Sequence, residues 1–291
     1  MLVNMKEILS HAEKNHYAIA CINTPSADNI RAVIGAAEEL NAPVIIDHAQ
    51  VHNSVIPIEV IGPQMVACAK AAKVPVCVHL DHGTDYTFIM KAIHAGFSSI
   101  MYDCSLLPYE ENKAKLTEFT KLAHGLGITV EAELGVMAST EQDSHGGKPL
   151  TNEEIKQYFT DPQQAGEFAE ATGVDALAVC FGTMHGIYAE DPVLDIDRVK
   201  AIRAAMPDTC RVVMHGASGV KPEEVRRGIT AGCSKINYYS YMGKATTEHI
   251  SQKLADCHGN IASHELYADA FQFMQGYAKD VIQVFLNGYQ F

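Results

Sequence analysis

The stretch VCVHLDHGTDY, residues 76–86, is an apolar, strand-like run that ends in an acid, an imidazole and a glycine. This ending needs a physical reason, because a carboxylate or an imidazole at the end of a buried strand is costly to desolvate unless it finds a partner. Asp81 and His82 are therefore candidate functional residues, and the hypothesis is stronger if other strands of the chain also end in polar side chains.

Eight strand-like runs occur along the chain, and helix-like segments separate them. The runs cover residues 17–23, 42–49, 74–82, 98–105, 128–135, 176–186, 210–219 and 233–241. Several of the segments between them open with Ser, Asp or Pro and close on Gly, as helices do. Alternation of apolar strands with helices predicts a parallel sheet that is covered on both faces.

Eight such units match an α/β fold of the (β/α)8 TIM barrel type. An open, doubly wound sheet is the alternative, but no Gly-rich nucleotide turn follows the first strand. The composition shows no break along the chain, so residues 1–291 are predicted to form a single domain. The tail beyond Met242 is predicted to add extra C-terminal helices that pack on the barrel.

Charge and composition exclude several classes of partner. The chain has 291 residues, 47% of them hydrophobic, and a formal net charge of −13. This acidic balance argues against nucleic acid or an anionic membrane as the main partner, although local donors can still hold a phosphorylated ligand. We find no apolar signal region and no run of membrane-spanning length, and the eight cysteines lack CxxC pairs. These features predict a cytoplasmic protein with buried, reduced thiols.

Polar side chains stand where the predicted strands end, and a barrel brings these ends to one mouth. His82, His185 and His215 come from three different strands, and three imidazole nitrogens with an open position are the arrangement of catalytic zinc. His79 is predicted to be structural and to lie deeper in the barrel. The other polar residues at strand ends are Asp81, Asp103, Glu131, Glu133 and Asn237.

Six motifs carry a resemblance to a known family: HLDHGTDY, YDCS, VEAELG, GTMHGIY, VVMHGASGV and SKINYYS. Their order and spacing resemble those of the class II, metal-dependent ketose-bisphosphate aldolases, in particular the fructose- and tagatose-bisphosphate branch. The resemblance implies one catalytic zinc ion on His82, His185 and His215. It also implies that Asp81 handles the proton of the aldehyde oxygen and that Asn237 steadies the enediolate oxygen.

The resemblance leaves the roles of several acids open. In the family a loop glutamate removes the substrate proton, which corresponds to Glu141 here, with Asp143 as the alternative. Asp103 and Glu133 match positions near a second or alternative metal site in some members, but they could equally orient the histidines. Lys235 needs no Schiff-base role, because a metal triad makes a covalent amine unnecessary.

The implied substrate is a phosphorylated ketose, which is cleaved reversibly to dihydroxyacetone phosphate and an aldehyde. Small residues and backbone N–H groups at helix starts suit the phosphate. The residues expected to bind substrate are Asn23, Gly186, Gly216, Ala217, Ser218, Asn237, Tyr238, Tyr239 and Ser240. The resemblance also implies a monovalent cation near the phosphate and a homodimer or homotetramer.

Three departures from the family pattern concern the far end of the substrate. The sequence NYYSYM (237–242) adds tyrosines after the asparagine, and Ala49 takes the place of a serine near the negatively charged Asp47. Lys279 is the one cation where the family usually offers an arginine. We therefore expect an acceptor other than glyceraldehyde 3-phosphate.

Two other functions are compatible with parts of the pattern. A metal-dependent barrel hydrolase would keep the three histidines but would leave Asn237 and the HGASG turn without a role. A non-catalytic partner subunit of the same family would be expected to have lost a ligand or Asp81, and the sequence retains both.

Overall fold

The computed structural model describes residues 1–135, 150–186, 188 and 190–291. Within these residues nine strands form one sheet: β1 (Leu2–Val3), β2 (Ile19–Asn23), β3 (Val44–Ala49), β4 (Val76–Gly83), β5 (Ser99–Tyr102), β6 (Thr129–Leu134), β7 (Ala176–Val179), β8 (Arg211–Met214) and β9 (Cys233–Tyr238). Strands β2 to β9 pair in parallel in chain order, and β9 pairs with β2, which closes an eight-stranded barrel. The predicted (β/α)8 TIM barrel is confirmed, and β1 adds a short parallel pairing to β4.

The helices of the described residues surround this barrel. They are α1 (Met5–Lys14), α2 (Ala27–Glu39), α3 (Ile58–Ala71), α4 (Tyr86–Ala95), α5 (Tyr109–Gly125), α6 (Asn152–Ile155), α7 (Pro162–Thr172), α8 (Ile196–Ala205), α9 (Pro222–Ala231), α10 (Ser240–Asp256) and α11 (Ser263–Phe285). Two 3₁₀ helices cover Gln50–Ser54 and Lys156–Tyr158. The predicted C-terminal helices are α10 and α11, and α11 packs between α2 and α9 in the outer ring.

Local sequence signals set where these helices begin and end. The Ser26 hydroxyl accepts a hydrogen bond from the backbone N–H of Asn29 at the start of α2, and the Asp85 carboxylate caps α4 in the same way through Thr87. Gly96 ends α4 with a φ of 93°, a left-handed conformation that favours glycine. These caps return the chain to the next strand after each helix.

Helix α1 closes the amino-terminal end of the barrel. The backbone N–H of Met5 donates to the Thr129 hydroxyl at the start of β6, and Glu13 pairs with Arg211 at the start of β8 at 3.3 Å. Met5 and other apolar residues of α1 are buried against the barrel. The opposite, carboxyl-terminal end is therefore the face that is left for a ligand.

Most strands are shorter than the predicted runs, for example β5 (Ser99–Tyr102) against 98–105, and the difference is largest at β7 and β8. The runs 176–186 and 210–219 were expected to be strands, but β7 ends at Val179 and β8 ends at Met214. Glycines end both runs, since Gly182 has a φ of 128° and Gly216 a φ of 65°. Apolar periodicity cannot separate such a turn from a strand, because the residues around it are also buried.

Two further expectations concern thiols and membranes. All eight cysteines are free, and six of them, Cys21, Cys77, Cys104, Cys180, Cys210 and Cys233, are buried as small apolar residues. No helix in the described ranges combines the length and apolar character that crossing a bilayer requires.

Candidate active site

A pocket with a cavity volume of about 70 Å³ opens at the carboxyl-terminal end of the barrel. It is lined by Asn23, Ala49, Val51, His52, Asp81, His82, His185, Gly186, Gly216, Ser218, Asn237, Tyr238, Tyr239 and Ser240. Of the residues expected to bind substrate, Ala217 does not line it and is instead buried beside a separate apolar cavity with Val220 and Phe285. Sequence reasoning missed Val51 and His52, which follow β3 in a 3₁₀ helix.

The three histidines predicted as metal ligands converge at this pocket: His82 and His185 line it, and the fully buried His215 lies next to both. Their ring centroids lie 4.8 Å apart for His82 and His185, 4.9 Å for His82 and His215, and 5.4 Å for His185 and His215. Each offers a nitrogen, and these atoms lie within 4.8 Å of one another. Among the described residues, Nε2 of His82 and Nδ1 of His215 are buried without a hydrogen-bond partner. Buried nitrogens of this kind need a ligand, so the residues fit a divalent metal ion.

A bulge explains why Asp81 and His82 both line the pocket. Successive side chains of a regular strand point to opposite faces. The pairing of β4 with β5 shifts register between Leu80 and Gly83, and His82 has a φ of 45°. The bulge re-aims the His82 side chain, as bulges beside active sites do. Acid and imidazole therefore lie side by side at the mouth.

Carboxylates hold two of the histidines in defined orientations. The Nδ1–H of His82 donates to Oδ2 of Asp103 at 2.7 Å, which leaves Nε2 for a metal. The Nε2–H of His215 donates to Oε1 of Glu131 at 3.0 Å, and its Nδ1 lies 3.4 Å from Oε2 of Glu133. This geometry supports the orienting interpretation of Asp103. His82, Asp103 and Glu133 also present atoms within 4.8 Å of one another, so the second metal site stays a prediction.

The carboxylates also set the charges of the histidines. Burial opposes the charge on His82, but Asp81 and Asp103 outweigh it and raise its pKa to about 10. Burial and the neighbouring His82 and His215 lower the pKa of His185 well below its usual value. Burial raises the pKa of Asp81, but the positive groups around it, His82 foremost, hold the pKa well below its usual value. Asp81 is therefore a carboxylate at neutral pH.

A fully buried ion pair lies beneath the pocket, and sequence reasoning gave it no role. The ammonium Nζ of Lys235 lies 2.9 Å from Oε1 and 2.8 Å from Oε2 of Glu131, and both side chains are fully buried. Burial lowers the pKa of Lys235, but anionic neighbours including Glu131 and Asp81 outweigh burial and raise it. A protonated lysine is not a nucleophile, which agrees with the expectation of no Schiff base.

Small residues shape the floor of the pocket after β7 and β8. A Cβ on Gly216 would collide with the carbonyl oxygen of Met184, and its φ of 65° also favours glycine. The Tyr188 hydroxyl donates to the Gly216 carbonyl at 2.7 Å and accepts from the backbone N–H of Met184 at 2.9 Å. These contacts hold the two turns together, so Gly186 and Gly216 face one space.

The residues that differ from the family pattern lie partly in the pocket and partly outside it. Tyr239 lines the pocket, with its ring centroid 5.4 Å from that of His52, whereas the Tyr238 hydroxyl also bonds Tyr277 at 3.0 Å. Asp47 is fully buried and accepts from the Cys21 thiol, so it does not line the pocket. Lys279 pairs with Glu39 at 2.7 Å on the outer surface. Glu141 and Asp143, the candidate bases, lie outside the described residues.

The chain is similar to known proteins in both sequence and fold. The family model described as "Fructose-bisphosphate aldolase class-II" matches residues 3–288. The YdjI aldolase from Escherichia coli K12 is 33% identical, with a TM-score of 0.85 over 98% of this chain and 97% of that one. A putative fructose-1,6-bisphosphate aldolase from Coccidioides immitis is 26% identical, with a TM-score of 0.83 over 97% and 95%.

A third similar structure is the fructose-bisphosphate aldolase (Fba) from Campylobacter jejuni, at 20% identity and a TM-score of 0.79 over 98% of this chain and 95% of that one. At this identity it supports the fold alone. The family model spans nearly the whole chain. The chain therefore belongs to the class II fructose-bisphosphate aldolase family.

Proposed function

We propose that the protein is a zinc-dependent aldolase that cleaves a phosphorylated ketose to dihydroxyacetone phosphate and an aldehyde. The observation that carries the proposal is the convergence of His82, His185 and His215 at the pocket that Asp81 and Asn237 also line. Class II aldolases are metal-dependent lyases, and the buried, unpartnered nitrogens at this site suit a divalent ion.

The protein's residues divide the work of the reaction. When bound by the three histidines, zinc supplies Lewis-acid polarisation of the donor ketone. Asp81 is a carboxylate beside that position and suits the transfer of a proton to or from the aldehyde oxygen. The Asn237 amide donates to Oδ1 of Asp81 at 3.1 Å, and its NH₂ group is placed to stabilise the negative oxygen of the enediolate.

The donor phosphate is assigned to the floor of the pocket. Gly186, Gly216 and Ser218 line it, and α10 begins at Ser240 on the same side. The Ser218 hydroxyl accepts a hydrogen bond from the backbone N–H of Tyr239 at 3.1 Å, which joins the turn after β8 to the start of α10. The backbone N–H groups at a helix start favour an anion, and the partial positive charge of the helix dipole adds to this.

The walls of the pocket support a different acceptor. Among the described residues that line it, none is a lysine or an arginine, and Ala49, Val51, His52 and Tyr239 contribute apolar, imidazole and phenol groups instead. A second phosphate would find no bidentate partner there. We therefore propose an aldehyde acceptor without a phosphate group, and a weak activity toward fructose or tagatose bisphosphate.

The test is exchange of the α-proton of dihydroxyacetone phosphate with solvent deuterium, followed by NMR. We expect exchange by the zinc-loaded protein, loss of exchange with a chelator, and loss in His185→Ala. Glu141→Gln is expected to lose exchange while it keeps the metal, and Asp143→Asn is its matched control. Absence of exchange from metal-loaded parent protein would defeat the proposal.

The acceptor is tested separately by steady-state kinetics. We expect condensation of dihydroxyacetone phosphate with aldehydes that lack phosphate to exceed condensation with glyceraldehyde 3-phosphate in kcat/KM. Efficient cleavage of fructose or tagatose bisphosphate would contradict the proposed acceptor while leaving the donor chemistry intact.

A further inference from the structure

We propose that Lys235 is a positioning residue that fixes the side-chain amide of Asn237 with its NH₂ group toward the donor substrate. The inference rests on the proposed function, in which that NH₂ group faces the enediolate oxygen. It gives a role to a buried ion pair that the reaction otherwise leaves unused. Lys235 itself does not line the pocket and so touches no substrate.

The hydrogen bonds around Lys235 form a continuous chain beneath the pocket. The Lys235 ammonium donates to Oδ1 of Asn237 at 2.7 Å and to Oε1 of Glu131 at 2.9 Å, and it forms an ion pair with Oε2 of Glu131 at 2.8 Å. The Asn237 amide then donates from Nδ2 to Oδ1 of Asp81 at 3.1 Å. The ammonium is thus held between the Glu131 carboxylate and the amide oxygen of Asn237.

The chemistry of lysine settles which way the amide faces. An ammonium group donates hydrogen bonds and accepts none, so only the oxygen of Asn237 can face it. Asp81, as a carboxylate, accepts and does not donate, so only the NH₂ group can face Asp81. The two neighbours therefore select the same orientation. Among the described residues, the NH₂ group of Asn237 donates one side-chain hydrogen bond, to Asp81. The second hydrogen of this NH₂ group is therefore available to a ligand.

Loss of Lys235 would remove one of the two groups that select this orientation and leave Asp81 alone to hold the amide. Whenever the amide of Asn237 turned over, its oxygen would face the negative oxygen that the reaction generates. Repulsion would replace donation at the position where charge develops. Glu131 anchors the lysine from the other side, and because Glu131 also bonds His215, the variant must be shown to keep its metal.

The experiment is a double-mutant cycle on the deuterium exchange of dihydroxyacetone phosphate. Lys235→Met keeps the length of the side chain and removes the donor. This change leaves the Glu131 carboxylate buried without its cationic partner. The double variant Glu131→Gln/Lys235→Met therefore removes both charges of the ion pair, and Glu131→Gln alone is its matched control. Asn237→Ala and Lys235→Met/Asn237→Ala complete the cycle. Bound zinc, thermal unfolding, and kcat and KM for exchange are measured for each variant.

We expect Asn237→Ala to lower kcat for exchange by about 100-fold, the effect of removing a donor aimed at developing charge. Lys235→Met and Glu131→Gln/Lys235→Met are expected to lower it by about 10- to 100-fold, with KM within about twofold because phosphate binding is untouched. In the Asn237→Ala background the lysine substitution should have no further effect. If Lys235 only stabilised the fold, its substitution would lower the thermal stability and the zinc content, and it would slow exchange equally with Asn237 or with Ala at position 237.

Several results would overturn the inference. These are a normal exchange rate in Glu131→Gln/Lys235→Met, an equal loss with and without Asn237, or loss of zinc as the cause of the defect. If the parent protein catalyses exchange and the Lys235 variants exchange at the same rate, the inference is wrong but the proposed function stands. No exchange by the metal-loaded parent would defeat the proposed function and the inference with it.

Discussion

At the scale of single residues, the site depends on which nitrogen of each histidine faces the pocket. Asp103 accepts from Nδ1 of His82, and Glu131 accepts from Nε2 of His215, so the carboxylates fix both the tautomer and the ring orientation. The nitrogen that remains on each ring is the one without a hydrogen-bond partner among the described residues. A metal therefore meets ligands that are already aligned.

Removal of the carboxylate beside His82 is expected to weaken metal binding. Asp103→Ala should lower the affinity for zinc by about 10- to 100-fold, because the imidazole loses its orientation and part of its basicity. Competition with a chelator measures the change. The matched control is Asp269→Ala, which breaks a similar pair with His249 at 2.6 Å between α10 and α11. Equal zinc affinity in Asp103→Ala and the parent would show that Asp103 does not orient the ligand.

The affinity for zinc is also expected to rise with pH. Burial opposes the charge on His82, but the carboxylates beside it outweigh burial and raise its pKa to about 10, so this ring is protonated at neutral pH when no metal is bound. Burial also opposes the charge on His215, but hydrogen bonds to Glu131 and Glu133 outweigh burial and raise its pKa. Zinc must displace the protons that these rings hold, and the affinity therefore increases by about tenfold per pH unit for each proton released. Titrations between about pH 6 and about pH 8 in buffers of different ionisation enthalpy measure the proton release. An affinity that is constant over this range would contradict the expectation.

At the scale of elements, the turn after β8 matters as much as the strand. Gly216→Ala is expected to lower the midpoint of thermal unfolding, because the added Cβ meets the Met184 carbonyl at a left-handed φ of 65°. Strain of this kind costs about 1–3 kcal/mol. The variant should also raise KM for dihydroxyacetone phosphate, since Gly216 lines the pocket.

Gly276→Ala is the control for this glycine. Gly276 is exposed within α11, and an added Cβ would have nothing within 4 Å. Alanine there should stabilise the protein by about 0.5–1 kcal/mol through helix propensity. If Gly216→Ala and Gly276→Ala both stabilised or both destabilised the protein, the proposed difference between a turn glycine and a helix glycine would be wrong.

At the scale of the whole molecule, we predict a homodimer or homotetramer. The outer surface of α10 and α11 exposes apolar side chains, among them Leu254 and Tyr267, whose exposed fractions are 37% and 60%. Aromatic residues on such a surface are typical of an interface between subunits. Light scattering of the eluted protein should give two or four chain masses. A single chain mass at all workable concentrations would end this prediction.

The sequence by itself determined the barrel and most of the pocket. Alternation of apolar strands and capped helices requires a covered parallel sheet, and eight repeats close it. Polar residues such as Asp81, His215 and Asn237 at buried strand ends then have one place to meet, because the carboxyl ends of all parallel strands lie at one face.

The orientation of these side chains depends on tertiary contacts that the sequence pattern does not specify. The bulge in β4 that places Asp81 and His82 side by side depends on the register with β5, which a single strand does not encode. The contact between Lys235 and Glu131 joins residues 104 positions apart, and its energy depends on the low dielectric of the barrel interior. Residue type and spacing predict which groups gather at the mouth, whereas burial and neighbours set their charge, tautomer and direction.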